Sequence, residues 1–226
     1  MLHKKVVFMG TPKFSVPILK AIAESSYEIS CVYTQEPKKS NRGQKVNKSP
    51  IQSCAENLKL IVRNPKNLNS EKEFEYIKKL NPDLVIVVAY GQLISKKFLD
   101  IPKKGFINIH ASLLPVWRGA APIQRSIMNS DTETGISIMK IVEELDAGPI
   151  MKQIKIKIDN LSTTEGISKK LSKISAESIV KILDDIFKKN LKFIEQNHKL
   201  ATYAKKIKKN EAKINWNESA KEILAK

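Results

Sequence analysis

Cysteine, histidine and arginine are all scarce in this chain, and each scarcity closes off a class of chemistry. The two cysteines, Cys31 and Cys54, cannot build a disulfide framework, and Cys31 sits in a strand-like run, ISCVYT, where a small buried hydrophobe is expected. The three histidines, His3, His110 and His198, are too scattered to join those cysteines in a zinc cluster. No metal is therefore expected. No apolar run approaches the roughly 20 residues that cross a bilayer. The N-terminal apolar run breaks at Gly10-Thr11-Pro12, too early for a signal-peptide core. A cytoplasmic location without membrane contact is the expectation. Also missing are a G-x-G-x-x-G dinucleotide loop after the first strand, a G-x-x-x-x-G-K-[ST] triphosphate loop and a G-x-S-x-G nucleophile elbow.

Arginine is represented only by Arg42, Arg63, Arg118 and Arg125, so lysine supplies the rest of the 40 basic residues behind a net charge of +17. Such a charge suits a polyanionic partner. A lysine-rich, isoleucine- and asparagine-rich composition also arises from nucleotide bias in a genome, and charge alone does not choose between the two. With 42% hydrophobic and 28% charged residues, the 226-residue chain reads as a soluble globular protein with one sizeable core and a tail.

The first 150 residues alternate short apolar runs with helix-like stretches, the pattern of a mostly parallel sheet covered on both faces. Strands are expected at 5–9, 28–34, 58–62, 84–88, 106–109 and 135–142. Leu19, Ile22 and Ala23 recur at helical spacing behind Pro17, and Phe74, Ile77 and Leu80 mark another helix that Asn81-Pro82 ends. Ile154, Ile156 and Ile158 alternate with lysines, which predicts an antiparallel edge strand with one wet face. A long helix follows. Ser162 and Glu165 are spaced as a capping box, and Ile167, Leu171, Ile174, Ile179, Ile182, Leu183 and Ile186 form its buried stripe. The fold class is thus α/β, a Rossmann-like open sheet, in a domain spanning 1–188. Residues 189–226 read as a basic connector rather than core. A second irregular stretch, 35–49, holds Lys38, Lys39, Arg42, Lys45 and Lys48, and its length fits either a functional loop or a solvated one.

Chemistry concentrates in two segments. In GFINIHASLLPVWRGAAPIQ, 105–124, a buried strand carries a polar Asn108 and ends in His110. A polar side chain inside an apolar strand is costly unless bonded. The carboxyl end of a strand in an open α/β sheet faces the ligand crevice. A lone histidine is often structural, and Asp146 in the turn Glu143-Glu144-Leu145-Asp146-Ala147-Gly148 is also ordinary turn chemistry. Facing His110, however, that carboxylate orients the imidazole. Amide, imidazole and carboxylate then make an acid/base set suited to acyl transfer onto an amine, with no serine or cysteine nucleophile.

These residues resemble the methionyl-tRNA formyltransferases, within the folate-dependent formyltransferases. The group-level match is Asn108-x-His110 with Ser112-Leu113-Leu114-Pro115 and Asp146 in LDAG. The narrower match rests on Gly10-Thr11-Pro12 with Phe14, Ser49-Pro50, VVAYG at 87–91, WRGAAPIQ at 117–124 and TYAKKIKKNEAKINW near the end. The resemblance implies transfer from 10-formyltetrahydrofolate to initiator methionyl-tRNA in protein biosynthesis, with Asn108, His110 and Asp146 as the catalytic trio and no metal. It assigns folate contacts to Ser112, Leu113, Leu114, Pro115, Val88, Ala89, Tyr90 and Gly91, with the 141–144 loop near the pterin. It assigns the methionyl end to Phe14 and tRNA contacts to Lys38, Lys39, Arg42 and Lys45. It implies a monomer. Family members continue past Asn215-Trp216 into a tRNA-gripping barrel, so 189–226 is expected to hold the linker and the start of a truncated C-terminal domain, with weakened tRNA binding. Formyl transfer to an amino sugar nucleotide or a purine precursor amine, a formyl-folate hydrolase and a non-catalytic folate- or RNA-binding remnant are the alternatives.

Overall fold

A computed structural model describes residues 4–40, 45–188 and 192–225. Its strands are β1 (Lys5–Gly10), β2 (Glu28–Tyr33), β3 (Lys38–Ser40), β4 (Lys45–Asn47), β5 (Val62–Arg63), β6 (Leu84–Val88), β7 (Phe106–His110), β8 (Arg118–Gly119), β9 (Glu133–Lys140), β10 (Ile150–Lys157) and β11 (Tyr203–Ala204). Its α-helices are α1 (Val16–Ala23), α2 (Pro50–Asn57), α3 (Glu71–Leu80), α4 (Lys96–Leu99), α5 (Pro122–Met128), α6 (Thr164–Phe187) and α7 (Ala220–Leu224).

Seven strands form one sheet in the order β10-β9-β7-β6-β1-β2-β5. The five from β7 to β5 run parallel, whereas β9 is antiparallel to β7 and β10 to β9. Short parallel strands buried on both faces read as continuous apolar runs, as LVIVV of β6 does, because helices cover the sheet on either side. The two faces are distinct. Val6, Phe8, Ile86, Ile107 and Ile109 pack beneath α1, α2 and α6, while Val7, Met9, Val85, Val87 and Phe106 pack beneath α3 and α4.

The edge strand expected around Ile154, Ile156 and Ile158 is β10, which ends just before Ile158, and the expected stripe of α6 from Ile167 to Ile186 is buried except at Ile174, which is partly open. Four expectations need correction. The 58–62 strand shrinks to β5, because Leu58 still caps α2 and Lys59 turns the chain at φ +56°, so pairing with β2 begins only at Val62. The cap of α6 is Thr163, whose Oγ1 accepts the Gly166 N–H at 3.1 Å, while the Ser162 hydroxyl turns back to Asp159. The 35–49 stretch is not irregular throughout, since β3 and β4 pair as an antiparallel hairpin. The basic connector is partly core. Ile194 pairs with Ile150, Gln196 is buried, and β11 runs parallel to β8.

Candidate active site

Side chains alternate along a strand, so β7 sends Ile107 and Ile109 into one core and Phe106, Asn108 and His110 to the other face. Phe106 packs with Phe98 of α4, whereas Asn108 and His110 lie further along, paired with Met139 and Ser137 of β9. That stretch of sheet is roofed by the 141–149 turn and the segment following α6.

The turn brings Asp146 back over β7. Its Oδ1 accepts the Asn108 amide at 3.3 Å and its Oδ2 accepts the Gly119 N–H at 2.8 Å. Oδ2 also stands 3.6 Å from His110 Nδ1. The other ring nitrogen, Nε2, lies 2.9 Å from the Trp117 carbonyl. A carbonyl oxygen only accepts, so Nε2 carries a hydrogen and Nδ1 faces the carboxylate. His110 is 6% exposed, and Asn108 and Asp146 are partly open. The three residues singled out from sequence are therefore one contiguous, partly open group.

The backbone that builds this group is unusual. Asp146 has φ +48° and Trp117 φ +61°, conformations that cost about 1–3 kcal/mol each in non-glycine residues and persist only where the surroundings impose them. Gly148 is obligatory, since a Cβ there would collide with the Lys140 carbonyl oxygen. Gly119, at φ +111°, lets its N–H reach Asp146 while the neighbouring Ala120 and Ala121 N–H groups bond the Ala204 carbonyl.

Residues that the sequence reading did not single out complete the support. Gln196 donates to the Asp146 and Gly148 carbonyls at 2.8 and 2.7 Å and accepts from Arg118. Arg118, 1% exposed, also donates to Glu144 at 3.3 Å. The available signal was Arg118 itself, a rare arginine inside WRGAAPIQ. No thiol competes as nucleophile, because both cysteines are buried and free, and burial pushes the Cys31 thiol up to about 12.

The remaining candidates divide. Val87 pairs with Asn108, so the 88–91 loop starts beside the group. Ala89 and Gly91 are exposed there, but the Tyr90 side chain turns into the second core at 1% exposure. The carbonyls of Val88, Tyr90 and Gly91 each already accept a side-chain hydrogen bond, from Ser15, Thr11 and Gln35. In the 112–115 loop, Ser112 is buried with its hydroxyl on the Val116 carbonyl at 2.6 Å, Leu114 is buried, and Leu113 and Pro115 are partly open. A cis Leu114-Pro115 peptide shapes that loop, and Gln153 holds the Leu114 carbonyl at 2.8 Å. Phe14 follows the carboxyl end of β1, half-buried against the first core. Lys38, Lys39 and Lys45 lie on the β3–β4 hairpin, and Arg42 falls outside the described residues. A cleft of about 630 Å³ between Lys96, Phe106, Lys140, Lys188 and Phe193 opens at the amino end of β7, away from His110. Among the described residues no group of His, Cys, Asp or Glu is arranged to hold a metal, and no helix is long and apolar enough to cross a membrane.

An open, mostly parallel sheet thus presents an amide, an imidazole and a carboxylate on one strand and its covering turn. Residues 4–183 match the formyl transferase family. Over all 226 residues the chain is 58% identical to a methionyl-tRNA formyltransferase of Pelagibacter ubique (strain HTCC1062), covering 73% of that protein. It is 44% identical over 219 residues, 97% of its length, to a methionyl-tRNA formyltransferase of Coxiella burnetii (strain CbuK_Q154), covering 70% of it. Its fold overlays a sugar 3N-formyl transferase, crystallised in the presence of dTDP and 5-N-formyl-THF, with a TM-score of 0.73 at 18% identity, covering all of this chain and 78% of that one. The chain belongs to the methionyl-tRNA formyltransferase family, and it is an enzyme of the transferase class.

Proposed function

We propose that the chain transfers the formyl group of 10-formyltetrahydrofolate to the amino group of initiator methionyl-tRNA, with Asn108, His110 and Asp146 carrying the chemistry. The observation that supports this most is the contact of Asp146 with both Asn108 and His110 in a member of this family. The uncharged amine of the acceptor attacks the formyl carbon, forming a carbon–nitrogen bond and a tetrahedral centre whose oxygen bears the negative charge. One Asn108 N–H is spent on Asp146 and the second is available to that oxygen. The acceptor nitrogen then loses a proton and the folate N10 gains one as its bond to the carbon breaks. His110 Nδ1, beside Asp146, is the group suited to pass it. No covalent enzyme intermediate is needed.

The donor would lie against the 88–91 and 112–115 loops, touching Ala89, Gly91, Leu113 and Pro115. Tyr90, Ser112 and Leu114 would shape those loops from behind, since their side chains are buried. The sugar formyl transferase of the same fold, crystallised with a formylated folate, supports a folate donor. Phe14 and the β3–β4 hairpin with Lys38, Lys39, Arg42 and Lys45 would meet the aminoacyl end and acceptor arm of tRNA. Residues 1–188 would form the catalytic domain and 189–226 the basic linker toward a tRNA-binding domain.

The test is formyl transfer from 10-formyltetrahydrofolate to charged initiator tRNA, comparing the chain with His110→Ala. A rate reduced by about 10²- to 10⁴-fold in the variant is expected for loss of a positioned acid/base group. Equal rates in the two proteins would refute the assignment.

A further inference from the structure

Gln196 lies beyond α6, 50 residues from Asp146 in sequence, yet it is 5% exposed and its terminal amide is fully used. Both Nε2 hydrogens go to backbone carbonyls, of Asp146 at 2.8 Å and Gly148 at 2.7 Å. Oε1 accepts from Arg118 Nε at 3.2 Å and Nη2 at 2.8 Å. Those two carbonyls lie on either side of Ala147, itself 4% exposed, in the turn that holds Asp146 at φ +48°. Arg118 is fixed in turn by Glu144 and by a 3.3 Å contact with His198 Nδ1. Its neighbour Gly119 donates to Asp146 Oδ2. Adjacent residues therefore grip the same aspartate twice, one through its carboxylate directly and the other through its carbonyl by way of Gln196.

We propose that Gln196 is a positioning residue for formyl transfer, setting the direction of the Asp146 carboxylate by clamping the backbone on both sides of Ala147. The inference rests on the reading of Asp146 as part of the reacting group. Its physical basis is that carbonyls flanking the buried Ala147 need donors, and a single side chain that supplies both fixes two peptide planes against each other. A displacement of about 1 Å in a reacting group costs on the order of 100-fold in rate. The segment after α6, which looked like a mere connector, thus forms part of the wall behind the catalytic turn.

Gln196→Glu separates this role from simple anchoring of the connector. Glutamate has the same shape and accepts from Arg118 at least as well, but ionised it turns two donors into acceptors aimed at two carbonyls, and protonated it supplies one hydrogen of the two. Gln196→Met fills the same space and offers neither. Both variants are expected to lower kcat by about tenfold to a hundredfold while KM for folate and for tRNA stays within about twofold, in protein that stays folded at the assay temperature but melts lower than the parent, because the two carbonyls lose their donors. A Gln196→Glu protein with parental kcat would overturn the inference, as would unfolding of both variants, which would assign the residue to the fold. Asp146→Asn is assayed beside them. If it too is fully active, the reading of the site fails along with the clamp; if it is inactive while Gln196→Glu is not, only the clamp fails.

Discussion

Asp146→Asn is the substitution that examines the site most directly, because asparagine changes the charge while leaving shape and backbone nearly untouched. Asparagine tolerates the left-handed conformation at φ +48° as well as aspartate does, so no new strain enters. What changes is hydrogen bonding. Both carboxylate oxygens accept, one from Asn108 Nδ2 at 3.3 Å and the other from Gly119 N at 2.8 Å. An amide has a single oxygen, so in either orientation its NH2 meets a donor. The shorter Gly119 bond selects the orientation, which turns the NH2 toward Asn108. Leaving such a partly buried donor unpaired costs about 1–3 kcal/mol. At roughly 2–4 °C per kcal/mol for a chain of this size, the melting temperature falls by about 2–12 °C. The rate falls further, because the negative charge beside His110 Nδ1 is gone and the amide of Asn108 is pushed from its place. Loss of acid/base function by about 10²- to 10⁴-fold corresponds to about 2.7–5.4 kcal/mol of transition-state stabilisation. The assay is single-turnover formyl transfer at saturating enzyme, with melting followed by circular dichroism. A variant that keeps its melting temperature and works within about threefold of the parent rate would refute the argument that these three side chains act as a unit.

Arg63→Ala tests the buried pair beneath α3, where Arg63 donates to both oxygens of Glu73 at 2.7 and 2.6 Å and stacks on Tyr76. It should destabilise by about 3 kcal/mol in urea titration, because Glu73 would be left buried without its partner. Burial alone would raise the Glu73 carboxyl, but its bonds to Arg63 and Tyr33 hold it below the ordinary carboxylate range. That contribution is fully present above the unfolded pKa of about 4.3 and disappears as pH falls through the folded value, so the parent should lose stability on acidification that the variant has already lost. Tyr90→Phe should leave folate KM unchanged and stability equal or slightly higher, since the buried Tyr90 hydroxyl has no partner among the described residues; a raised KM would put that side chain in the folate pocket. Gly148→Ala should cost about 1–3 kcal/mol and impair transfer, because its Cβ would strike the Lys140 carbonyl and displace the Asp146 turn; parental activity and melting would show that the turn yields freely.

The parallel sheet was legible because its strands are buried on both faces, which forces unbroken apolar runs such as VIVV in β6. The short strand β5 was misplaced for the opposite reason. Leu58 and Leu60 are as apolar as strand residues, but they close α2, and a few apolar residues do not distinguish a helix end from a strand. Asn108 stood out because it is polar inside an apolar strand and His110 because it ends that strand, whereas Asp146 lies in an acidic turn and drew notice only as a carboxylate that could face His110 and through the family resemblance. Gln196 offered no such contrast. It lies among polar residues in a lysine-rich stretch, and its burial comes from contacts with β8 and the 146–148 turn that no local pattern encodes.

Arginine supplies the clue that was underused. In a chain whose cations are nearly all lysine, each described arginine makes a forked contact that an ammonium group cannot reproduce: Arg63 on Glu73, Arg118 on Gln196, and Arg125 on Glu211 and the Lys205 carbonyl. Two of the three tie the segment beyond α6 to the region around β8 and α5, and one of those reaches the backbone of Asp146 through a single glutamine. The same selectivity bears on function. Lysine suffices wherever a diffuse positive field is wanted, so the lysine excess speaks to charge, while the arginines mark positions where geometry is required. Arg118→Lys should therefore retain the charge and lose the two-pronged hold on Gln196. Its transfer rate should fall toward that of Gln196→Met, whereas replacement of an exposed surface lysine such as Lys157 should leave the rate within about twofold, since a solvated charge fixes nothing.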